Sequence, residues 1–296
     1  MSLVTVPVDT DIKDIMNIIR RDGGIIVKDF VTPAQVAEFN AESAPVFERL
    51  KANPDPSDLG ELAKDFYASN TTHIRSMLGQ LPKTTSTIIQ HPLWSQVMDG
   101  CLSESHQSWV GDELVTVRSG YMLNNAGAYH VAPGAGAQVL HRDDAMHCPA
   151  HREGSTFTTI TGCLVAGSKA TEKNGATRVL PGSHLFGLHQ RPLPEHTVPA
   201  EMEAGSALFW LGSTYHGAGA NTCTPGEEND VRLLYGVFGC KDWVRQDEAI
   251  LLSTPLDVVK SLPVKVLAKA GYAKSASGAG HINTHHPYAR LDEVSR

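Results

Sequence analysis

His141 and Asp143, in the stretch VLHRDDAMH, are separated by a single residue. On an extended strand, residues i and i+2 point to the same face, so both side chains reach one point while Arg142 between them points away. An imidazole and a carboxylate are ligands for a divalent metal, but an H-x-D pair alone occurs in many proteins without one. The stretch GSALFWLGSTYHGAG offers a third ligand: an apolar strand over 206–211 leads into a turn carrying His216, 75 residues beyond His141. Two histidines and one carboxylate make the facial triad of non-haem Fe(II) oxygenases. Three protein ligands on one face of an octahedral ion leave the other face for a bidentate 2-oxo acid and one dioxygen molecule.

A dicarboxylic 2-oxo acid needs its far carboxylate held as well. Arg232 opens the run RLLYGVFG, 16 residues after His216, on what should be the next strand. A guanidinium grips a carboxylate with two parallel hydrogen bonds. A lone arginine at a strand start is ordinarily a solvated charge; beside the triad, the ligand role is the better reading.

These residues need a β scaffold, and the chain supplies one from about residue 112. Short runs rich in β-formers alternate with turns: ELVTVRSGYML, AQVLH, TFTTITGCLVAG, ATRVLPGS, SALFWLG and VRLLYGVFG. Such a succession suggests an all-β sandwich or barrel. The preceding part reads as helical. Asp11 caps a helix with Ile12, Ile15, Met16 and Ile19 at helical spacing, and Gly23 and Gly24 stop it. GIIVKDF is a short strand, and Thr32, Pro33 and Gln35 open a second helix with a capping box. Residues 51–82 read as loops with at most one short helix, and another helix opens near Pro92. TPLDVVKSLPVKVLAKAGYAK reads as helical with a break at Pro263, followed by a polar tail. With no internal repeat or linker, one domain over 1–296 is expected: N-terminal helices over about 10–110, a β core over about 112–245, and a C-terminal helix and tail over about 246–296.

Composition narrows the function classes. The chain is 41% hydrophobic, 19% charged and carries a net charge of -7, so it can bury a core. No lysine- or arginine-rich run marks a nucleic-acid footprint, and no apolar run is long enough to span a bilayer. The start, MSLVTVPVDTDIKDIM, lacks the basic residues and apolar block of a signal peptide. Five scattered cysteines with no C-x-x-C pair read as buried free thiols in a reducing compartment, so a cytoplasmic location is expected.

HRDDAMH, KNGATRVLPGSH, STYHGAGAN and DVRLLYGVF together resemble the phytanoyl-CoA dioxygenase family of Fe(II)/2-oxoglutarate-dependent oxygenases. The pattern N-G-x-T-x-x-x-P-G-S-H, here Asn174 to His184, is the most specific local feature, and the likeness reaches back to DGGIIVKDFVTPAQVAEFN. Within the family the chain is similar to the fungal branch that tailors meroterpenoids and indole alkaloids. The resemblance implies a mainly β fold with flanking helices around a double-stranded β-helix (jelly-roll, cupin-like) core. It implies Fe(II) on His141, Asp143 and His216, with 2-oxoglutarate and O2 as cosubstrates and Arg232 on the distal carboxylate. Thr177, through its hydroxyl, and Gln138, through its amide, are implied beside the cosubstrate, and a homodimer is implied. The chain departs from the branch at AKAGYAKS, where relatives carry an L-G-W-like stretch that often helps close the site.

The implied activity is oxidation of an apolar polycyclic molecule by hydrogen abstraction, giving hydroxylation, desaturation, rearrangement or endoperoxidation. Halogenation is set aside because Asp143 occupies the position that chloride would need. The substrate pocket is expected among MLNNAGAYHVAPGAG, the segment around Arg75 and Met77, and the C-terminal helix. With no obvious basic cluster for a CoA phosphate, a neutral ring system is expected. Two other classes stay open: a zinc or manganese hydrolase or isomerase on a similar scaffold, and a non-catalytic jelly-roll binding module. Arg232 together with Thr177 speaks against the first, and retention of the whole triad with Arg232 against the second. Of the remaining polar residues, His147 and His151 read as surface and His184 as a brace of its turn. His281, His285 and His286 read as polar tail, and Asp144 as a residue orienting a ligand or Arg142.

Overall fold

Asp11 accepts a hydrogen bond from the Lys13 N–H and starts helix α1 (Ile12–Asp22), whose Ile15, Met16 and Ile19 are buried. Gly23 ends it in the left-handed region at φ 80°. A side chain at Gly23 would meet Thr214 and lie 2.6 Å from His184 Nδ1, so both backbone and packing demand glycine. The computed structural model describes residues 3–53, 70–276 and 278–293. Strands β1 (Thr5–Pro7) and β2 (Gly24–Lys28) flank α1 and pair in parallel. Helix α2 (Pro33–Ala52) opens with the expected reciprocal capping box between Thr32 and Gln35.

Much of the 51–82 stretch expected as loop lies at residues 54–69, outside the described residues. The segment from residue 70 onward is more ordered than its composition suggests, with β3 (Thr71–Ile74), α3 (Met77–Gln80) and α4 (Pro82–Gln90) in close succession. The sequence of α4, PKTTSTIIQ, has weak helix formers in its middle. Its first turn is held from outside, because Glu42 of α2 accepts from the backbone N–H groups of Lys83 and Thr84 and from the Thr84 hydroxyl. Helix α5 (Pro92–Leu102) comes next, as expected from Pro92.

The run ELVTVRSGYML is not one strand. It breaks at Ser119 and Gly120 into β5 (Glu113–Arg118), which among the described residues pairs only with β4 (Ser105–Val110), and β6 (Tyr121–Val131). The remaining strands are β7 (Ile160–Ala166), β8 (Thr177–Val179), β9 (Val198–Pro199), β10 (Ala207–Leu211), β11 (His216–Ala218) and β12 (Arg232–Lys241). A seven-stranded sheet runs β1-β2-β10-β7-β12-β6-β3, and a small sheet runs β11-β8-β9.

The expected closed double-stranded β-helix is corrected by this arrangement. The protein is mainly β with flanking helices, but its sheets are open. N-terminal strands β1 and β3 cap the two edges of the large sheet, so it ends there instead of joining the small one. The small sheet has strands of only two or three residues, and AQVLH forms no strand, contributing one isolated bridge between His141 and His216.

Alternation along the strands divides two cores. In β10, Ala207, Phe209 and Leu211 join the core shared with the helices, which also buries Trp94 of α5. Leu208 and Trp210 face the other way, with Leu164, Leu234 and, from the small sheet, Val179. The metal site lies on that second side. At the C-terminus, short helices at Leu256–Ser261 and Val264–Leu267 flank the expected break at Pro263. Among the described residues, no helix is long and apolar enough to cross a membrane.

Candidate metal centre and active site

The two histidine segments are tied by their backbones. His141 N–H donates to His216 O at 3.0 Å and His216 N–H to His141 O at 3.1 Å. The loop carrying His216 is anchored to α1 by the Thr214 hydroxyl, which donates to Gly23 O at 2.8 Å. Each imidazole is also oriented by a carbonyl two residues earlier: His141 Nδ1 lies 3.0 Å from Val139 O and His216 Nδ1 2.9 Å from Thr214 O. Nδ1 is therefore the donor in both rings, and the Nε2 lone pairs are available to a metal.

Asp143 completes the set, though not as a strand residue. It starts a short 3-10 turn, Asp143–His147, after the isolated bridge, which corrects the expected i, i+2 strand geometry. Its Oδ1 lies 3.5 Å from His141 Nε2 and 3.4 Å from His216 Nε2. One ligand atom from each residue lies within 4.8 Å of the others. With bonds of about 2.1 Å, cis ligands on an octahedral ion stand about 3 Å apart, so this spacing fits one divalent cation. The other oxygen, Oδ2, accepts a 2.9 Å hydrogen bond from Trp210 Nε1. The indole lies across Gly162 of β7, where an added Cβ would fall on the ring.

The carboxylate and the imidazoles act strongly on one another. Burial by itself would raise the Asp143 carboxyl, but the His216 charge and hydrogen bonds from both histidines outweigh it and hold it well below the ordinary carboxylate range. His216 is correspondingly raised: Asp143 overcomes the effect of burial.

A cavity of about 790 Å³ opens on the triad and is also lined by Gln138, Thr177 and Arg232. All six site residues expected from sequence thus border one space. Arg232 is 1% exposed. Its Nε donates to Asn174 O at 3.3 Å, while Nη2 is buried without a hydrogen-bond partner among the described residues. Burial alone lowers this guanidinium to about 10. Gln138 uses its Oε1 to accept from the Ala218 N–H.

Several polar residues take other roles. Arg142 points away as expected and is buried, bonded to the carbonyls of Ser213, Ser183 and Phe186. Asp144 is buried and orients neither ligand nor Arg142; its hydrogen bonds are to His151 and Thr158. His147 and His151 are not surface residues, with side chains only 9% and 14% exposed. His184 braces its turn through Arg20 O. His286 accepts from the Lys274 N–H, and the C-terminal histidines stay apart from the cavity. All five cysteines are free, but Cys148 is exposed and Cys101 only partly buried.

The pocket wall differs in part from expectation. MLNNAGAYHV is strand, not loop, and lines the cavity with Asn124, Asn125 and Tyr129. Arg75 borders the cavity, whereas Met77 lies in the helical core. The C-terminal helix does not line it; Asp247 and Glu248 just before it do. Sequence reading missed Trp210 and Asp247, whereas the two asparagines lie in a segment it assigned to the pocket.

Comparison with known proteins agrees with this geometry. The chain is 31% identical to the dioxygenase swnH1 of Arthroderma benhamiae, over 99% of this chain and 93% of that protein. It is 32% identical to the dioxygenase peniF of Penicillium patulum, over 94% of this chain and 88% of that protein. Among solved structures, the non-heme alpha-ketoglutarate-dependent epimerase SnoN from nogalamycin biosynthesis superposes with a TM-score of 0.55 at 20% identity, covering 82% of this chain and 89% of that one. The family model described as phytanoyl-CoA dioxygenase (PhyH) matches residues 19–225, a span that holds all three metal ligands. The chain belongs to the phytanoyl-CoA dioxygenase family, and its triad is that of a non-haem Fe(II)/2-oxoglutarate-dependent dioxygenase.

Proposed function

We propose that this enzyme oxidises an apolar, ring-bearing secondary metabolite of meroterpenoid or alkaloid type, with 2-oxoglutarate held by Arg232, Thr177 and Gln138. The observation that carries the cosubstrate assignment is the Arg232 guanidinium, buried and with Nη2 unpartnered in the cavity of the triad. A buried donor without a partner costs free energy unless a ligand meets it, and a carboxylate meets a guanidinium with two hydrogen bonds. A hydrolytic zinc or manganese site has no use for such a group.

When bound, Fe(II) with 2-oxoglutarate and O2 supplies the oxidising power for hydrogen abstraction, with succinate and CO2 as coproducts. The protein supplies orientation. Val139 O and Thr214 O fix the two imidazoles, and Trp210 holds the outer oxygen of Asp143. Thr177, 6% exposed, stands ready to donate its hydroxyl to a carboxylate oxygen. Ile160, Leu164, Leu234 and Phe238 line the space with apolar surface and exclude water from the reacting carbon. Hydroxylation, desaturation, rearrangement and endoperoxidation all begin from the same abstraction.

The whole chain is proposed to work as one catalytic unit, as a homodimer in the cytoplasm. Free cysteines suit a reducing compartment. The β4–β5 hairpin supports association, since Trp109 and Val110 stand 68% and 63% exposed on it.

Visible absorption under anaerobic conditions tests the function. Fe(II) followed by 2-oxoglutarate should produce a weak charge-transfer band that is missing in His216→Ala and Asp143→Ala. Folded, iron-loaded protein without the band at saturating 2-oxoglutarate would remove the dioxygenase reading.

A further inference from the structure

Asp247 interrupts the apolar wall of the cavity. Its Oδ2 accepts hydrogen bonds from Asn124 Nδ2 at 2.7 Å and Asn125 Nδ2 at 3.3 Å, and its own N–H donates to Asn124 Oδ1 at 3.0 Å. The carboxylate is thus held in one orientation by neighbours on β6. Its Oδ1 lies 3.4 Å from His147 Nε2. That imidazole is already committed to uncharged groups: Nε2 donates to Arg245 O at 2.8 Å, and Nδ1 takes the Thr159 hydroxyl at 2.8 Å.

No lysine or arginine among the described residues pairs with Asp247, whose side chain is 19% exposed. Burial pushes its carboxyl upward and Asp143 adds to the rise, against the restraining effect of Asn124 and His147. A fixed, part-buried carboxylate with no lysine or arginine partner among the described residues, bordering a largely apolar cavity, is satisfied by a cationic donor. A neutral alcohol would fill the hydrogen bond and leave the charge uncompensated.

We infer that the substrate carries a basic ring nitrogen, protonated at neutral pH, whose N–H sits on Asp247 Oδ1. This inference rests on the reading of the cavity as the substrate and 2-oxoglutarate site, and it replaces the neutral ring system expected from sequence. Asp247 then fixes which face and which carbon of the amine is presented to the triad, as a specificity-determining residue that takes no part in the oxidation itself.

Calorimetry on full-length protein loaded with Fe(II) and 2-oxoglutarate, without oxygen, tests it. The probes are decahydroquinoline, its N-acetyl derivative, and 2-decalol as the neutral alcohol. The amine should bind at least tenfold more tightly than either neutral probe. Asp247→Asn should remove that preference by weakening the amine alone, and Asp247→Glu, which keeps the charge, should retain it. Neutral probes binding as tightly as the amine, no amine binding at millimolar concentration, or equal weakening of all three probes in Asp247→Asn would each overturn the proposal. The visible 2-oxoglutarate band, recorded on the same samples, separates the two readings. Band present with no amine preference sinks only this proposal; band absent sinks the cosubstrate assignment and this proposal with it.

Discussion

Trp210 Nε1 donates to Asp143 Oδ2 at 2.9 Å, and the same indole lies with its ring centroid 5.0 Å from that of His216. One side chain near the end of β10 therefore touches two of the three metal ligands. It leaves Asp143 Oδ1 turned toward the histidines and fixes the carboxylate's rotation. Trp210→Phe keeps most of the ring volume and removes the donor. Metal affinity is expected to fall about 10- to 100-fold, measured by Fe(II) or Co(II) titration, with the fold retained by circular dichroism. Unchanged affinity would show that the hydrogen bond does not support the metal.

Gly162 allows that indole its position. In Gly162→Ala the added methyl would fall on the Trp210 ring, so the indole has to move. Overpacking of this kind costs about 1–3 kcal/mol. Thermal unfolding should show a lower melting temperature, and metal affinity should drop with it. A variant with lowered stability but full metal affinity would separate the two roles of Trp210.

Arg232→Gln removes the buried guanidinium. The Kd for 2-oxoglutarate should rise about 10- to 100-fold, in keeping with loss of charge-assisted hydrogen bonds, while Fe(II) binding stays near normal. Arg232→Lys should fall between the two, because a point charge cannot make the paired contact. Titration of the visible band with 2-oxoglutarate reads both effects.

Stability should decline in mild acid. Burial, aided by Arg75, pushes His73 down from 6.5 to about 4. A histidine whose folded value is depressed contributes stability above its unfolded value, and that contribution is lost as pH falls from about 6.5 toward 4. At this shift the loss is about 3 kcal/mol, and His91, His130 and His184, also lowered chiefly by burial, act in the same direction. Urea unfolding at pH 7.5 and pH 4.5 should show a smaller difference in His73→Gln than in the parent. An equal difference in both would exclude His73 as a contributor.

Local instructions are where sequence reading and structure agree. The Asp11 cap, the left-handed Gly23, the Thr32–Gln35 capping box and the break at Pro263 all depend on residues within a few positions of one another. Helix α4 was not legible because Glu42, some forty residues earlier, holds its first turn. The jelly-roll expectation failed for a related reason. Strand segments reveal their own alternation, but which strand closes an edge is decided by distant partners, here β1 and β3.

By itself the sequence determined the donor set, since His141, Asp143, His216 and Arg232 stand in recognisable segments and their side-chain chemistry does not depend on context. Only the tertiary structure decided how those donors are aimed and what surrounds them. The His141–His216 bridge, the indole behind Asp143, and the meeting of Asp247 with Asn124 across 123 positions of chain are long-range pairings. Hydrogen-bond geometry and burial exist only once separate strands have packed, so no local pattern of residues encodes them.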